Sequence, residues 1–314
     1  MNKVASINYG HGRVNLVKFT YRYLIVNKPS GLQSDGNGNY NSYLLPQLKT
    51  IFQQLHPDKK INASKFQMVQ RLDKYVTGGL IVSRDEKFTR LINKSLRSDS
   101  SSNLKVVRRY VGLVKTSNEI EFFDKPGLKF NDPENGCGII SFDIEAVKDR
   151  TNHEIQTYEA KTRFKILINL KLLPTIDQTR DYPRLYPENS IIYPIIFELC
   201  TGRKNQIRDH VLQAFDNPLL NDDNFNMFKF RTRKDNVLPK TDVNSNFYKS
   251  NQIGLHSAFM QISRNDHIIE EEMFPIYCPS DRELWKGFID EETGEFHQSI
   301  IDELKNFNLQ NTHE

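Results

Sequence analysis

The stretch QMVQRLDKYVTGGLIVSRDE, residues 67–86, decides how this chain reads. It sets one carboxylate, Asp73, between Arg71 and Lys74, ahead of a Gly-Gly turn and the apolar run Gly79–Val82. That run predicts a buried strand. Ser83 and Glu86 follow at capping-box spacing. Phe88, Leu91, Ile92 and Leu96 then recur at helical spacing, which predicts a helix over 84–97. An aspartate between cations before a strand is ordinarily structural. Taken singly, Asp73 is no more than that.

Working outward, YLIVNKPSGLQS (23–34) is an apolar run stopped by Asn-Lys-Pro-Ser-Gly, a strand and then a turn. VVRRYVGLVK (106–115), IIYPIIFELCTG (191–202) and GLHSAFMQI (254–262) are further strands, and TYEAKTRFKILINL (157–170) alternates well enough for a long one. NQIRDHVLQAF (205–215) places Ile207, Val211 and Leu212 on one helical face, and DRELWKGFIDEE (281–292) also reads as helical. Residues 118–137 are rich in Gly, Pro, Asn and Asp and read as irregular. The segment 172–190, with three prolines, reads as an exposed insertion, and 221–252 as a long polar loop. Many strands with few helices point to an α+β fold: a mixed, mostly antiparallel sheet flanked by helices and loops.

Composition narrows the function classes. The 314 residues are 38% apolar and 26% charged, with no run of 18 apolar residues, so no membrane span is expected. Cys137, Cys200 and Cys278 lie far apart with no C-x-x-C pair, so neither a zinc site nor a disulfide framework is indicated. No metal is expected, and a reducing compartment is the default. Net charge is only +4, but the basic residues cluster: Lys105, Arg108 and Arg109; Lys161, Arg163 and Lys165; Arg203, Lys204 and Arg208; Lys229, Arg231, Arg233 and Lys234. Clusters of this kind can form one positive face, and a solvated mixed surface reads equally well from charge alone. Before the first acidic residue, Asp35, stand Lys3, Arg13, Lys18, Arg22 and Lys28, an acid-poor start of the sort import signals have.

Two more segments raise the weight of Asp73. In LCTGRKNQIRDHV (199–211) a strand, a Thr-Gly turn and a helix start carry Arg203, Lys204 and Arg208, the ingredients of an anion site. Arg208 also suits the role of partner to a buried aspartate, since an adjacent cation favours the charged carboxylate. In VVRRYVGLV (106–114) Tyr110 stands among cations, an arrangement that suits stacking on nucleobases. Each signal alone is weak, because a strand tyrosine ordinarily packs and a Thr-Gly-Arg turn ordinarily meets solvent.

RLDKYVTGGLIV, RRYVGLV and TGRKNQIRDH in that order, with YLIVNKPSGL upstream and GLHSAFMQI downstream, resemble the RluA family of RNA pseudouridine synthases over about residues 20–265. The resemblance implies a mixed, largely antiparallel sheet crossed by a cleft. It implies Asp73 as catalytic nucleophile, Tyr110 stacked on the target base, and Arg208 paired with Asp73. Arg71 would help displace or replace the extruded uridine, and Thr201, Gly202, Arg203 and Gln206 would shape the turn that supports the cleft. The chain departs from the family pattern at Gln70 and Asn205, where His is usual, and at Tyr75 and Val76, where Asp and Thr are more common. On this reading 1–19 is a basic N-terminal segment, 20–292 the catalytic domain with insertions at 172–190 and 221–252, and 293–314 an acidic tail. Members often carry an N-terminal S4-type RNA-binding domain, and a core that begins near residue 20 leaves no room for one. Resemblance is strongest to mitochondrial large-subunit rRNA members, which implies a mitochondrial monomer acting on rRNA. A tRNA enzyme of cytoplasm or nucleus is the alternative.

The chemistry fits that inventory. Pseudouridine formation breaks a C–N glycosidic bond, turns the base and rejoins it through C5. Nothing is oxidised, so no cofactor is expected. One carboxylate is needed, as nucleophile or to promote a glycal at the ribose. The base must leave its stack, and cations must hold the phosphates. A non-catalytic RNA-binding or ribosome-assembly protein of the same fold would be marked by a lost aspartate, and Asp73 is present. A glycosidase would need a second acid, and no matching carboxylate stands near Asp73 in the sequence.

Overall fold

A computed structural model describes residues 6–9, 12–36, 42–55, 62–96, 103–149, 154–181, 186, 189–222 and 252–307. The chain forms two compact units, one from Met1–Arg108 with His256–Lys305, the other from Arg109–Leu255 with Asn306–Glu314.

The first unit is built on strands β1 (Ser6–Tyr9), β2 (Gly12–Phe19), β3 (Tyr23–Lys28), β4 (Gln67–Met68) and β5 (Thr77–Ser83). Helices α1 (Leu44–Leu55) and α2 (Glu86–Leu96) accompany them. Strand β6 (Leu104–Thr116) leads into the second unit, and the chain returns through β13 (Leu255–Arg264) and β14 (His267–Met273). The pairs β1–β2, β2–β3, β3–β5, β4–β5 and β13–β14 are antiparallel, and β5–β13 is parallel. Every residue of β3 and of β5 is buried, as expected of apolar runs flanked by neighbours on both edges. The amphipathic helix α2 lays Phe88 and Ile92 against Tyr23, Ile25, Ile81 and Met260, with the rings of Tyr23 and Phe88 stacked 4.9 Å apart.

The Gly-Gly pair is not the turn expected from the sequence; both glycines lie inside β5. Gly78 has φ +112°, and a Cβ there would stand 2.3 Å from the Ser257 carbonyl oxygen; one on Gly79 would meet the Phe274 ring at 2.2 Å. The pair lets β13 and the Phe274 ring, just past the end of β14, approach the strand. The helix α2 is capped by Asp85 rather than Ser83: the Asp85 carboxylate accepts from Lys87 N at 3.1 Å.

The second unit orders its sheet as β6, β12 (Ile191–Leu199), β11 (Thr162–Ile166), β8 (Cys137–Ile140) and β7 (Leu128–Asp132), all antiparallel. A separate hairpin pairs β9 (Ile144–Asp149) with β10 (Glu154–Tyr158). Helices α3 (Ile176–Asp181) and α4 (Gln206–Phe215) belong here. Phe130, Phe164 and Phe215 meet edge to face at 5.4 and 5.7 Å, which ties α4 to the sheet. A mostly antiparallel sheet with few helices is therefore what both units show.

Other readings need correction. The long strand expected over 157–170 is broken between β10 and β11, because the Lys161 carbonyl is taken by Cys200 N, Thr201 N and Gln206 Nε2. Residues 281–292 are not a helix but 3-10 turns at Pro279–Asp281 and Glu283–Trp285 followed by a loop, with Gly287 at φ +85°. The Arg282 guanidinium holds that loop by donating to the carbonyls of Ile276, Tyr277, Glu291, Glu292 and Thr293. The irregular 118–137 segment contains β7 and the first residue of β8. The insertion 172–190 carries α3 and buries Tyr186 and Ser190, so it is not uniformly exposed. The segment 293–314 includes helix α5 (Gln298–Asn306), which buries Ile300 and Leu304. Most of the 221–252 loop, with Lys229, Arg231, Arg233 and Lys234, lies outside the described residues.

Candidate active site

In the first unit the segment around Asp73 is a loop between β4 and β5 whose backbone is clamped at successive points. Ser34 Oγ donates to the Leu72 carbonyl at 2.8 Å and accepts from Leu72 N at 2.9 Å. Val76 N donates to the Asp73 carbonyl at 3.1 Å, and Gly31 N to the Lys74 carbonyl at 2.9 Å. Leu72 and Val76 are buried, while Arg71 and Lys74 are exposed and Asp73 is half-buried. The result is a half-buried carboxylate on a clamped loop that also carries two exposed cations.

Beneath the loop lies Lys28, fully buried at the end of β3. Its ammonium donates to the carbonyls of Leu32 at 2.8 Å, Pro29 at 3.0 Å and Lys74 at 3.2 Å, so it sews the turn after β3 to the Asp73 loop. Burial pushes its pKa down to about 7, while the carboxylates of Asp281 and Asp73 pull the other way. Asp281 accepts from Ser30 N at 2.9 Å; burial pushes its carboxyl up to about 6, against the Ser30 bond and Lys28. Beside them His256 is neutral. Its Nε2–H donates to the Phe274 carbonyl at 2.8 Å, so Nδ1 accepts from Thr77 Oγ1 at 2.7 Å. Burial holds its pKa down at about 4.

In the second unit Tyr110 is 5% exposed and stands opposite Phe197 across the β6–β12 pair. Its neighbour Arg109 is buried too: Nε donates to Glu198 at 2.8 Å and Nη2 to the Phe307 carbonyl at 3.0 Å. Arg163 shares Glu198 at 3.3 Å. Arg108 and Arg109 therefore do not belong to an exposed basic face.

The Thr-Gly-Arg turn is organised from within by Gln206, 2% exposed. Its Oε1 accepts from Thr201 Oγ1 at 2.8 Å and Arg203 N at 2.9 Å; its Nε2 donates to the Lys161 carbonyl at 3.0 Å and Thr162 Oγ1 at 2.9 Å. All four of its hydrogen-bonding positions are used. Thr162 Oγ1 passes the chain on to His210 Nδ1 at 2.9 Å, and His210 Nε2–H donates to the Phe142 carbonyl at 2.9 Å. Burial holds His210 neutral, with a pKa of about 4. Gly202, Arg203 and Lys204 stay exposed on the turn, and the Arg203 guanidinium lies 5.3 Å from the Tyr158 ring centre. Arg208, on the first turn of α4, grips Asp222 in two prongs, Nε to Oδ2 at 2.7 Å and Nη2 to Oδ1 at 2.8 Å, with Nη1 on Asn205 Oδ1 at 3.3 Å.

So Arg71 and Asp73 share one loop, and Thr201, Arg203 and Gln206 share one network. Comparison with known proteins gives this arrangement its context. Residues 22–213 match the model of the RNA pseudouridylate synthase family.

The chain belongs to that family.

Among its relatives is the 21S rRNA pseudouridine(2819) synthase of Candida albicans, 40% identical over 280 residues, which cover 87% of this chain and all of that one. The 21S rRNA pseudouridine(2819) synthase of Eremothecium gossypii is 27% identical over 91% of this chain and 86% of its own. Human RNA pseudouridylate synthase domain containing 1 shares the fold, with TM-score 0.55 and 15% identity over 98% of this chain and all of that one. The enzyme is thus a pseudouridine synthase that isomerises uridine in RNA. Sequence reasoning missed three parts of the synthase: Lys28, Ser34 and Asp222. A lysine closing an otherwise apolar strand was a usable signal for the first. The other two lay in what read as turn and loop.

Proposed function

We propose that this synthase modifies a uridine of the mitochondrial large-subunit rRNA, with Asp73 as its nucleophile. The observation that carries the chemistry is the clamped loop that holds Asp73, half-buried, with the exposed cations Arg71 and Lys74 close to it in sequence. The 21S rRNA on which the Candida albicans and Eremothecium gossypii relatives act supports the choice of RNA. With the uridine flipped out of its stack, Asp73 promotes cleavage of the C1′–N1 bond, by attack at C1′ or through a glycal. The uracil turns, and C5 bonds to C1′ as the Asp73–C1′ bond breaks or, on the glycal route, as the C2′ proton returns from Asp73; the C5 proton then leaves to solvent. Tyr110 stacks on the base near C5. Arg208 supplies the positive charge opposite the nucleophile, Arg71 takes the place of the departed base, and Thr201, Gly202, Arg203 and Gln206 present the turn that receives the RNA backbone. The enzyme acts as a monomer in the mitochondrion.

The test is pseudouridine mapping of all cellular RNA, organellar RNA included, in cells carrying wild-type protein or Asp73→Ala. Loss of one modification in mitochondrial large rRNA is the expected outcome. Loss in tRNA instead would move the substrate and keep the chemistry. An unchanged map would remove Asp73 from the reaction.

A further inference from the structure

We infer that Asp222 is a positioning residue of the reaction, acting through Arg208; this rests on the reading above that Arg208 serves the nucleophile. The pair has the geometry of a fork in a fork. Arg208 presents Nε and Nη2 to the two oxygens of Asp222 at 2.7 and 2.8 Å, the strongest arrangement open to an arginine and a carboxylate. Asn205 Oδ1 takes the Nη1 end at 3.3 Å. A guanidinium held along one edge and at the opposite nitrogen cannot swing about its side-chain torsions without breaking a charge-assisted bond. Its plane and direction are therefore fixed.

The holder is itself fixed. The Asp222 side chain is 4% exposed and that of Arg208 15%. Asp222 N donates to the Leu219 carbonyl at 3.0 Å, closing a turn. Just before it, Leu220 N donates to the Leu113 carbonyl of β6, and Gly254 N to the Leu220 carbonyl, each at 2.8 Å. Asn221 Nδ2 donates to the Gln252 carbonyl at 2.6 Å. The turn that carries Asp222 is thus bolted to the strand that carries Tyr110, three residues along from it. Asn205, with φ +58°, needs the left-handed region that asparagine tolerates better than most residues, and it spends its amide oxygen on Arg208 instead of capping α4.

A buried ion pair is a poor way to gain stability, because desolvation offsets most of the attraction. It is a good way to aim a charge. Asp222 accordingly sets where the Arg208 cation points, and with it the transition-state stabilisation that depends on that direction.

A double-mutant cycle separates aiming from scaffolding. The assay is tritium release from RNA transcripts labelled at uracil C5, with RNA affinity and the urea midpoint measured alongside. Asp222→Asn should lower kcat about 10- to 100-fold, the cost of a lost charged hydrogen bond, with KM and RNA affinity within about twofold. In an Arg208→Lys background, where the fork is already gone, the same change should cost less than about threefold. Asp222→Glu keeps the charge and displaces it by a methylene; it should fold normally and lose at least about fivefold in kcat. Full kcat in either Asp222 variant, or losses that simply multiply in the double variant, would overturn the assignment. If wild-type protein releases no tritium, the reaction itself is wrong. If wild type works, Asp73→Ala does not, and Asp222→Asn does, only the positioning role falls.

Discussion

Gln206 shows how much one uncharged side chain settles. With two acceptor bonds and two donor bonds it joins Thr201, Arg203, Lys161 and Thr162 into one turn. Gln206→Glu keeps the shape and replaces the donating amide by oxygen, which would then face the Lys161 carbonyl and Thr162 Oγ1. We expect a loss of about 1–3 kcal/mol, read as a fall in the urea midpoint, with Gln206→Ala costing a similar amount. An unchanged midpoint for Gln206→Glu would mean that the turn does not depend on these bonds. At this scale the sequence named Gln206 as a shaper of the turn without saying how. It was silent on Ser34 and Asp222, because a residue that acts through a backbone atom or through another side chain leaves no spacing to recognise.

Among the elements, β3, β6 and β13 were legible, since an apolar run between turn residues has one economical fate. The strand expected over 157–170 and the helix expected over 281–292 failed for one reason: backbone carbonyls were claimed from outside. Lys161 gives its carbonyl to the neighbouring turn, which breaks the strand. Arg282 collects carbonyls on both sides of itself, which replaces the helix by a tied loop. Neither claim is visible in local periodicity. The strand β5 makes the converse point, for its Gly-Gly pair was read as a turn and is a packing surface. Gly78→Ala would set a methyl group 2.3 Å from the Ser257 carbonyl oxygen at a φ of +112°. A destabilisation of about 1–3 kcal/mol or more is expected from overpacking, with further cost from the backbone. Denaturant unfolding of the variant checks it, and a midpoint equal to wild type would show that β5 and β13 can part at no cost.

For the whole molecule, buried titrating groups set the response to acid. His210 and His256 are held neutral with pKa values of about 4, below the ordinary 6.5. Between those values the unfolded chain binds two protons that the folded chain does not, so stability is lost as pH falls through that window. Asp281, raised to about 6 from 3.8, works in the opposite direction, because there the folded chain holds the extra proton. Two against one leaves a net uptake of about one proton on unfolding. Unfolding free energy should therefore fall by about 1.4 kcal/mol per unit between pH 6 and 4. His210→Gln should remove most of that slope in a series of urea titrations. A slope unaffected by the substitution would show that His210 is charged in the fold.

Lys28 has a use of a different kind. Its amine is shut away while other lysines, Lys74 among them, face solvent. An amine-reactive reagent will mark the exposed lysines at once and must wait for Lys28 until the turn after β3 lifts from the Asp73 loop. The rate at which Lys28 is acylated is thus a clock, read by mass spectrometry, for how often this enzyme opens the floor beneath its own carboxylate.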